Sequence, residues 1–304
     1  MNENKGKFTR EAAQNFLALE PEMQAERLAD YIWTISDGSC RTIFLEAANS
    51  IIAFDTFGTP GRARAYKKKV AECIPEKEIK TVIYSHDHLD HSGFAADLSA
   101  DAEIIADEMC AKVIKLRQAE GQSMPTKILS GAKNEMSIDG LEFTLLNPGP
   151  THGSGNMSAW FADAGVLFSS DTILANAKYG FVPDYHICNF VKFMRGFLEL
   201  EWQTFVPGRY EITDRAGFSR GCDYFEAVQL EAQNAFAEFV PIWAFEPMKG
   251  YVMNKLAERF GDLDGFEDHV GQTAIRIVHH YLMGGWGLED TPEPSVLLAN
   301  EVQL

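Results

Sequence analysis

Between Tyr84 and Gly93 the chain reads YSHDHLDHSG, which places His86, His88 and His91 in six positions with Asp87 and Asp90 among them. Imidazole nitrogens and carboxylate oxygens at this density suit a divalent transition metal. His86 and His88 stand two apart just after the apolar run TVIYS (81–85). There a buried strand ends, and side chains can converge on one point. Asp90 and His91 follow at once, and Ser92-Gly93 lets a helix begin. Two histidines alone do not close a site, so further ligands must come from distant segments. Two residues stand at comparable places. His152 lies in GPTHGSGN, a Gly/Pro loop after LEFTLLN, and Asp171 ends another apolar strand in LFSSDTI. Strand ends are where open α/β sheets hold their ligands. Taken singly, each has a plainer reading, as an ordinary loop histidine and a strand-ending cap.

The elements that must carry these residues alternate along the chain. Residues 9–30 read as an amphipathic helical lead-in, broken near Pro21. Short β-rich runs follow at 31–35, 42–46 and 50–56, then a charged helix over 60–73. Strands are expected at 81–85, 103–106, 141–147, 157–162 and 166–170, and helices over 223–239, 248–260 and 267–283. This order predicts an α/β protein whose sheets are covered by helices. The last fifteen or so residues, with Pro292 and Pro294, read as a loose tail.

Composition narrows the function classes. A chain of 304 residues, 46% hydrophobic, can build a sizeable core. A formal charge of −17 argues against nucleic acid and against an anionic membrane as partners. No apolar run has the length of a membrane span. No apolar stretch follows the charged N-terminus, so no secretory leader is expected. Five scattered cysteines without a CxxC pair read as free thiols, which points to the cytoplasm.

The sequence resembles the metallo-β-lactamase-fold hydrolases, whose HxHxDH motif corresponds here to HDHLDH (86–91), with THGSGN and SSDT following in order. The resemblance implies an αββα sandwich over residues 1–240 with a C-terminal helical extension (241–304). That extension would pack over the pocket side or make a homodimer contact. The resemblance also implies that His86, His88 and His152 hold a first zinc ion. Asp90, His91 and Asp171 would hold a second, with Asp171 bridging. Two cations sharing a water bring its ionisation near neutral pH. The expected function is therefore a zinc-dependent hydrolase in which a metal-bound hydroxide cleaves an ester, lactone, thioester or amide of a small substrate. Asp90 is its expected catalytic residue. An iron-dependent oxidoreductase and a binding or regulatory protein with an impaired second site are the alternatives.

One residue departs from the pattern. The family closes its second site with a histidine in a PGH turn, and FVPGRYEITDR carries Arg209 there. A guanidinium stays protonated and cannot ligate a cation. Three readings follow: a weaker second metal, a substitute histidine, or Arg209 as a binding residue for an anionic substrate group. A fourth, plainer one is an ion pair with an acidic neighbour. His186, His279 and His280 are the substitutes weighed, and none is assigned. Tyr179, Phe181, Tyr185 and Trp286 read either as pocket walls or as ordinary packing.

Overall fold

The computed structural model describes residues 10–280, apart from 154, 181, 183, 184, 188, 189, 242 and 243. The described elements run α1 (Arg10–Ala18), β1 (Gln24–Arg27), β2 (Ile32–Ser36), β3 (Arg41–Glu46), β4 (Ile51–Phe54), α2 (Pro60–Cys73) and β5 (Ile79–Ile83). Next come α3 (Leu89–Ser92), α4 (Ala95–Leu98), β6 (Glu103–Asp107), α5 (Glu108–Arg117), β7 (Lys127–Leu129), β8 (Lys133–Ile138) and β9 (Leu141–Leu146). The remainder is β10 (Ser158–Phe161), β11 (Val166–Ser169), α6 (Phe190–Phe197), β12 (Thr204–Pro207), β13 (Thr213–Asp214), α7 (Arg215–Ala237), α8 (Phe245–Phe260) and α9 (Phe266–His280). The chain divides into two compact units, Met1–Leu129 with Ser137–Leu141, and Ser130–Met136 with Glu142–Leu304.

The first unit is built on a seven-stranded sheet in sequence order, β1 to β7. It is antiparallel from β1 to β4 and parallel from β4 to β7. Strand β4 (IIAF) is buried at every position, as a strand covered on both faces must be. Helix α2 returns the chain between the parallel pair β4 and β5. Its start is written in the sequence: Pro60 opens the helix, and the Thr59 hydroxyl accepts from the Arg62 N–H at 3.2 Å. Phe44, Ala53, Tyr66, Val82 and Ala106 are among the side chains that fill the core.

One expectation is corrected here. The lead-in is not helical throughout: α1 ends at Ala18, and residues 24–27 form strand β1, paired with β2 from Gln24↔Ser36 to Arg27↔Trp33. Strand β1 lies at the sheet's edge and is mostly exposed. Its QAER sequence therefore lacks the apolar alternation that would announce a strand. Ladder pairing, not side-chain burial, makes the strand.

The second unit holds a six-stranded sheet in the order β13-β12-β11-β10-β9-β8, with β11 and β12 its parallel pair. Helix α7 is capped by Asp214, whose carboxylate accepts from the Gly217 N–H at 2.8 Å. Helices α7, α8 and α9 share one aromatic-rich core with the sheet, including Phe205, Phe218, Tyr224, Val252, Phe260 and Ile277. The tail expected near Pro292 lies outside the described residues. Among the described residues, no helix is long and apolar enough to cross a membrane.

Candidate metal site

In the first unit, β4, β5 and β6 run parallel and in register, Phe54 beside Ile83 and Ile83 beside Ile105. The residues just past their C-terminal ends therefore share one edge. Asp55 leaves β4 in the left-handed conformation (φ 53°) and is buried. Its Oδ1 accepts from the Ser85 N–H at 2.7 Å. Its Oδ2 accepts from the Ser85 hydroxyl at 2.8 Å and faces His91 Nδ1 at 2.9 Å. Ser85 Oγ also lies 2.9 Å from His86 Nδ1.

The available protons settle the tautomers. The one hydroxyl proton of Ser85 goes to Asp55, so Ser85 Oγ accepts from His86 Nδ1–H. His91 likewise donates its Nδ1–H to Asp55. Each ring then presents the lone pair of Nε2, the form in which imidazole ligates a metal. One buried carboxylate thus orients both histidines, directly and through a serine. Sequence reading missed Asp55 and Ser85. The available signal was a carboxylate directly after the fully apolar IIAF.

Past His86 the chain makes a single helical turn, α3, with His88 as its N-cap and the N–H groups of His91 and Ser92 donating to the His88 carbonyl at 3.0 and 2.9 Å. The ring centroids of His86 and His88 lie 4.5 Å apart, and those of His86 and His91 4.4 Å. Asp90 stands beside them, its Oδ2 3.5 Å from His91 Nε2 and its side chain 43% exposed. Asp87 is buried and serves the loop instead. Its carboxylate pairs with Arg117 at the end of α5, and its carbonyl accepts from Arg117 Nη1 at 2.6 Å and Gln122 Nε2 at 2.7 Å.

In the second unit the parallel pair β11 and β12 plays the same part. Ser169 lies beside Pro207, so two residues further on Asp171 and Arg209 emerge as neighbours. Gly208 between them is obligatory: a Cβ there would fall 2.5 Å from Asp171 Oδ1 and 2.6 Å from its backbone nitrogen. Asp171 is buried, with its backbone in the left-handed region (φ 51°). The Tyr185 hydroxyl donates to its carbonyl at 2.8 Å. His152 is also buried, with Nε2 3.5 Å from Asp171 Oδ2 and its ring edge-on to Tyr185, centroids 4.9 Å apart. The Arg209 guanidinium lies on the Asp171 carboxylate, Nε 3.0 and 3.1 Å from the two oxygens and Nη2 2.8 Å from Oδ2.

The other candidates fall outside these groups. His186 is exposed, and its N–H donates to the Thr151 carbonyl at 2.8 Å. His279 and His280 are both half-buried. The Tyr179 hydroxyl accepts from the Leu174 N–H at 2.8 Å, and its ring stacks on Tyr224, so it packs the core. Phe181 and Trp286 lie outside the described residues. Cys110 is buried, and burial first, then the charges of Asp87, Asp107 and Asp55, push its thiol well above the ordinary range. Among the described residues it belongs to neither group of metal donors. None of the described cysteines (Cys40, Cys73, Cys110, Cys222) forms a disulfide.

Neutral imidazoles with the Nδ1 proton tied down, joined by carboxylates, are a donor set that fits a divalent transition metal. The comparisons with known proteins agree. The metallo-beta-lactamase superfamily pattern matches residues 35–106, from β2 through the histidine cluster to β6. The chain is 38% identical over 273 residues to the 2,4-dinitroanisole O-demethylase subunit alpha of Nocardioides sp. (strain JS1661), covering 89% of this chain and 83% of that one. It is 31% identical to the subunit beta of the same strain, covering 89% of this chain and 86% of that one. Among solved structures, a metallo-beta-lactamase from Hirschia baltica superposes with a TM-score of 0.58 at 18% identity, over 67% of this chain and 97% of that one. The chain belongs to the metallo-β-lactamase superfamily. Its fold class is the expected one, α/β of that type with C-terminal helices. Proteins of this fold bind divalent metals, and the His/Asp donors of this chain are of that kind.

Proposed function

We propose that this chain is a metal-dependent hydrolase that uses water to split an ester, lactone, thioester, amide or activated ether bond in a small organic molecule. In this reading His86, His88 and His152 hold a zinc ion, and Asp90, His91 and Asp171 are the donors that a second ion would need. When bound, the ion supplies Lewis acidity and brings water within reach of ionisation near neutral pH. The observation that carries the reading is the Asp55–Ser85–His86 and Asp55–His91 network, which commits buried hydrogen bonds to presenting Nε2 lone pairs. A purely structural histidine cluster has no use for that arrangement.

The residues divide the work. Asp90 is half-exposed and close to His91, so its carboxylate can take the proton of the attacking water and return it to the leaving oxygen. Asp55 fixes ring orientation, and Arg117 with Gln122 holds the loop backbone. An ester, lactone, thioester or amide fits this chemistry. The names of the two relatives add an O-methyl ether carried on an electron-poor ring. Hydrolysis balances without a redox partner: ArOCH3 and H2O give ArOH and CH3OH. The iron-oxidoreductase alternative consumes oxygen and a reductant, and releases the methyl carbon as formaldehyde. We place the protein in the cytoplasm, since its described cysteines carry no disulfide. We also place it in an assembly with a like chain, since both similar relatives are subunits.

The test is to purify the protein without added metal, measure its metal content, and incubate it anaerobically with 4-nitrophenyl acetate and 2,4-dinitroanisole. Zinc, and a phenolate product with methanol from the ether, are expected. Formaldehyde, or turnover that requires oxygen, would establish the oxidoreductase reading instead.

A further inference from the structure

We propose that the Arg209 guanidinium takes the place of the second metal ion, so that each chain binds one metal ion and not two. The inference rests on the metal reading above and deepens it. Asp171 is the donor that a second ion would have to share. Both of its oxygens are engaged by the guanidinium, at 3.0 and 3.1 Å from Nε and 2.8 Å from Nη2. This is the two-pronged geometry that Arg and carboxylate form best.

The pair is built in by the backbone. The β11–β12 register delivers the two residues side by side, and Gly208 is packed against Asp171 more closely than any Cβ allows. The Tyr185 hydroxyl holds the Asp171 carbonyl on the far side. Asp171 itself is buried, and the Arg209 side chain is 29% exposed. A protonated guanidinium has no lone pair to offer and repels a second dication on the same carboxylate. The carboxylate is thereby neutralised by a fixed monocation that never dissociates.

Two consequences follow. Asp171 acts as the anchor of Arg209 and not as a bridge between ions. The fork that one reading of the sequence offered to a substrate anion is also already turned onto Asp171, as the plainer reading of an ion pair with an acidic neighbour has it. What remains beside His152 is a charge-balanced pair with its carboxylate foremost, His152 Nε2 lying 3.5 Å from Asp171 Oδ2. Arg209 in this role is a positioning residue with an electrostatic effect, not a ligand.

Calorimetric titration of metal-stripped protein with Zn2+ tests this directly. Wild type should take up one equivalent in a single step. Arg209→His should add a second step, because it removes the cation and restores an imidazole. Arg209→Gln, which removes the charge and keeps a hydrogen-bonding side chain, should likewise add a second step, and it serves where Arg209→His folds poorly. Two tight equivalents in wild type, or a single step in both folded Arg209 variants, would overturn the proposal while sparing the metal centre. No uptake at all in wild type would overturn the metal centre, and the proposal with it.

Discussion

His91 Nδ1 lies 2.9 Å from Asp55 Oδ2, and both side chains are buried. The same oxygen takes the Ser85 hydroxyl at 2.8 Å, so one carboxylate sets the tautomer of two histidines. Asp55→Ala removes that anchor and leaves a buried N–H and hydroxyl without their acceptor. Stability should fall by about 1–3 kcal/mol. Metal affinity should fall roughly ten- to hundredfold although no ligand is touched. Chemical denaturation and a zinc competition titration measure the two effects separately. Unchanged zinc affinity in a folded Asp55→Ala protein would remove Asp55 from any part in the site.

His152 is an expected zinc ligand, so His152→Ala should lose its bound metal and all hydrolysis. His86→Ala should do the same. Metal content by mass spectrometry, taken beside a circular dichroism spectrum, gives the answer. Wild-type metal content in a folded His152→Ala protein would exclude it as a ligand.

Asp90 has a different expected signature. Its carboxylate is half-exposed, so Asp90→Asn should keep the fold and the first metal ion. Turnover should drop by about 10²–10⁴, the usual worth of a positioned proton carrier. Steady-state kinetics against 4-nitrophenyl acetate suffices. A rate within a few-fold of wild type would show the aspartate to be structural.

Much of the site is legible in the amino-acid sequence, and the reasons are local. HDHLDH announces itself because its donors sit within one strand end and one helical turn. Helix α2 keeps the bounds its sequence predicts because Thr59-Pro60 is a start signal that needs no tertiary context. Asp55 is not legible, since its role exists only because β4 runs parallel beside β5. The Arg209 departure can be seen in the PGR turn, but its partner cannot. The β11–β12 register supplies Asp171, and the four residues of strand β12 carry no strong signal of their own. Helix α7 starts at Arg215 and not at 223, because Asp214 caps it in a stretch poor in apolar periodicity.

The last prediction sets two glycines against each other. Gly58 follows β4 with φ +68°, and a Cβ there would fall 2.3 Å from the Asp90 Cα and 2.5 Å from the Leu89 carbonyl oxygen. Its alanine variant meets both a disfavoured backbone conformation and the backbone of the metal-binding turn, neither of which yields readily. Gly58→Ala should therefore destabilise by about 1–3 kcal/mol, typical of forced overpacking. By displacing Asp90 it should also lower kcat. Gly250 sits within α8, exposed, with nothing within 4 Å of a built Cβ. There alanine adds no clash and only removes freedom from the unfolded chain, so Gly250→Ala should stabilise by about 0.5–1 kcal/mol with kcat unchanged. Thermal unfolding of the two variants beside wild type should shift in opposite directions. A Gly58→Ala protein with wild-type Tm and kcat would mean that the loop after β4 does not support the histidine turn.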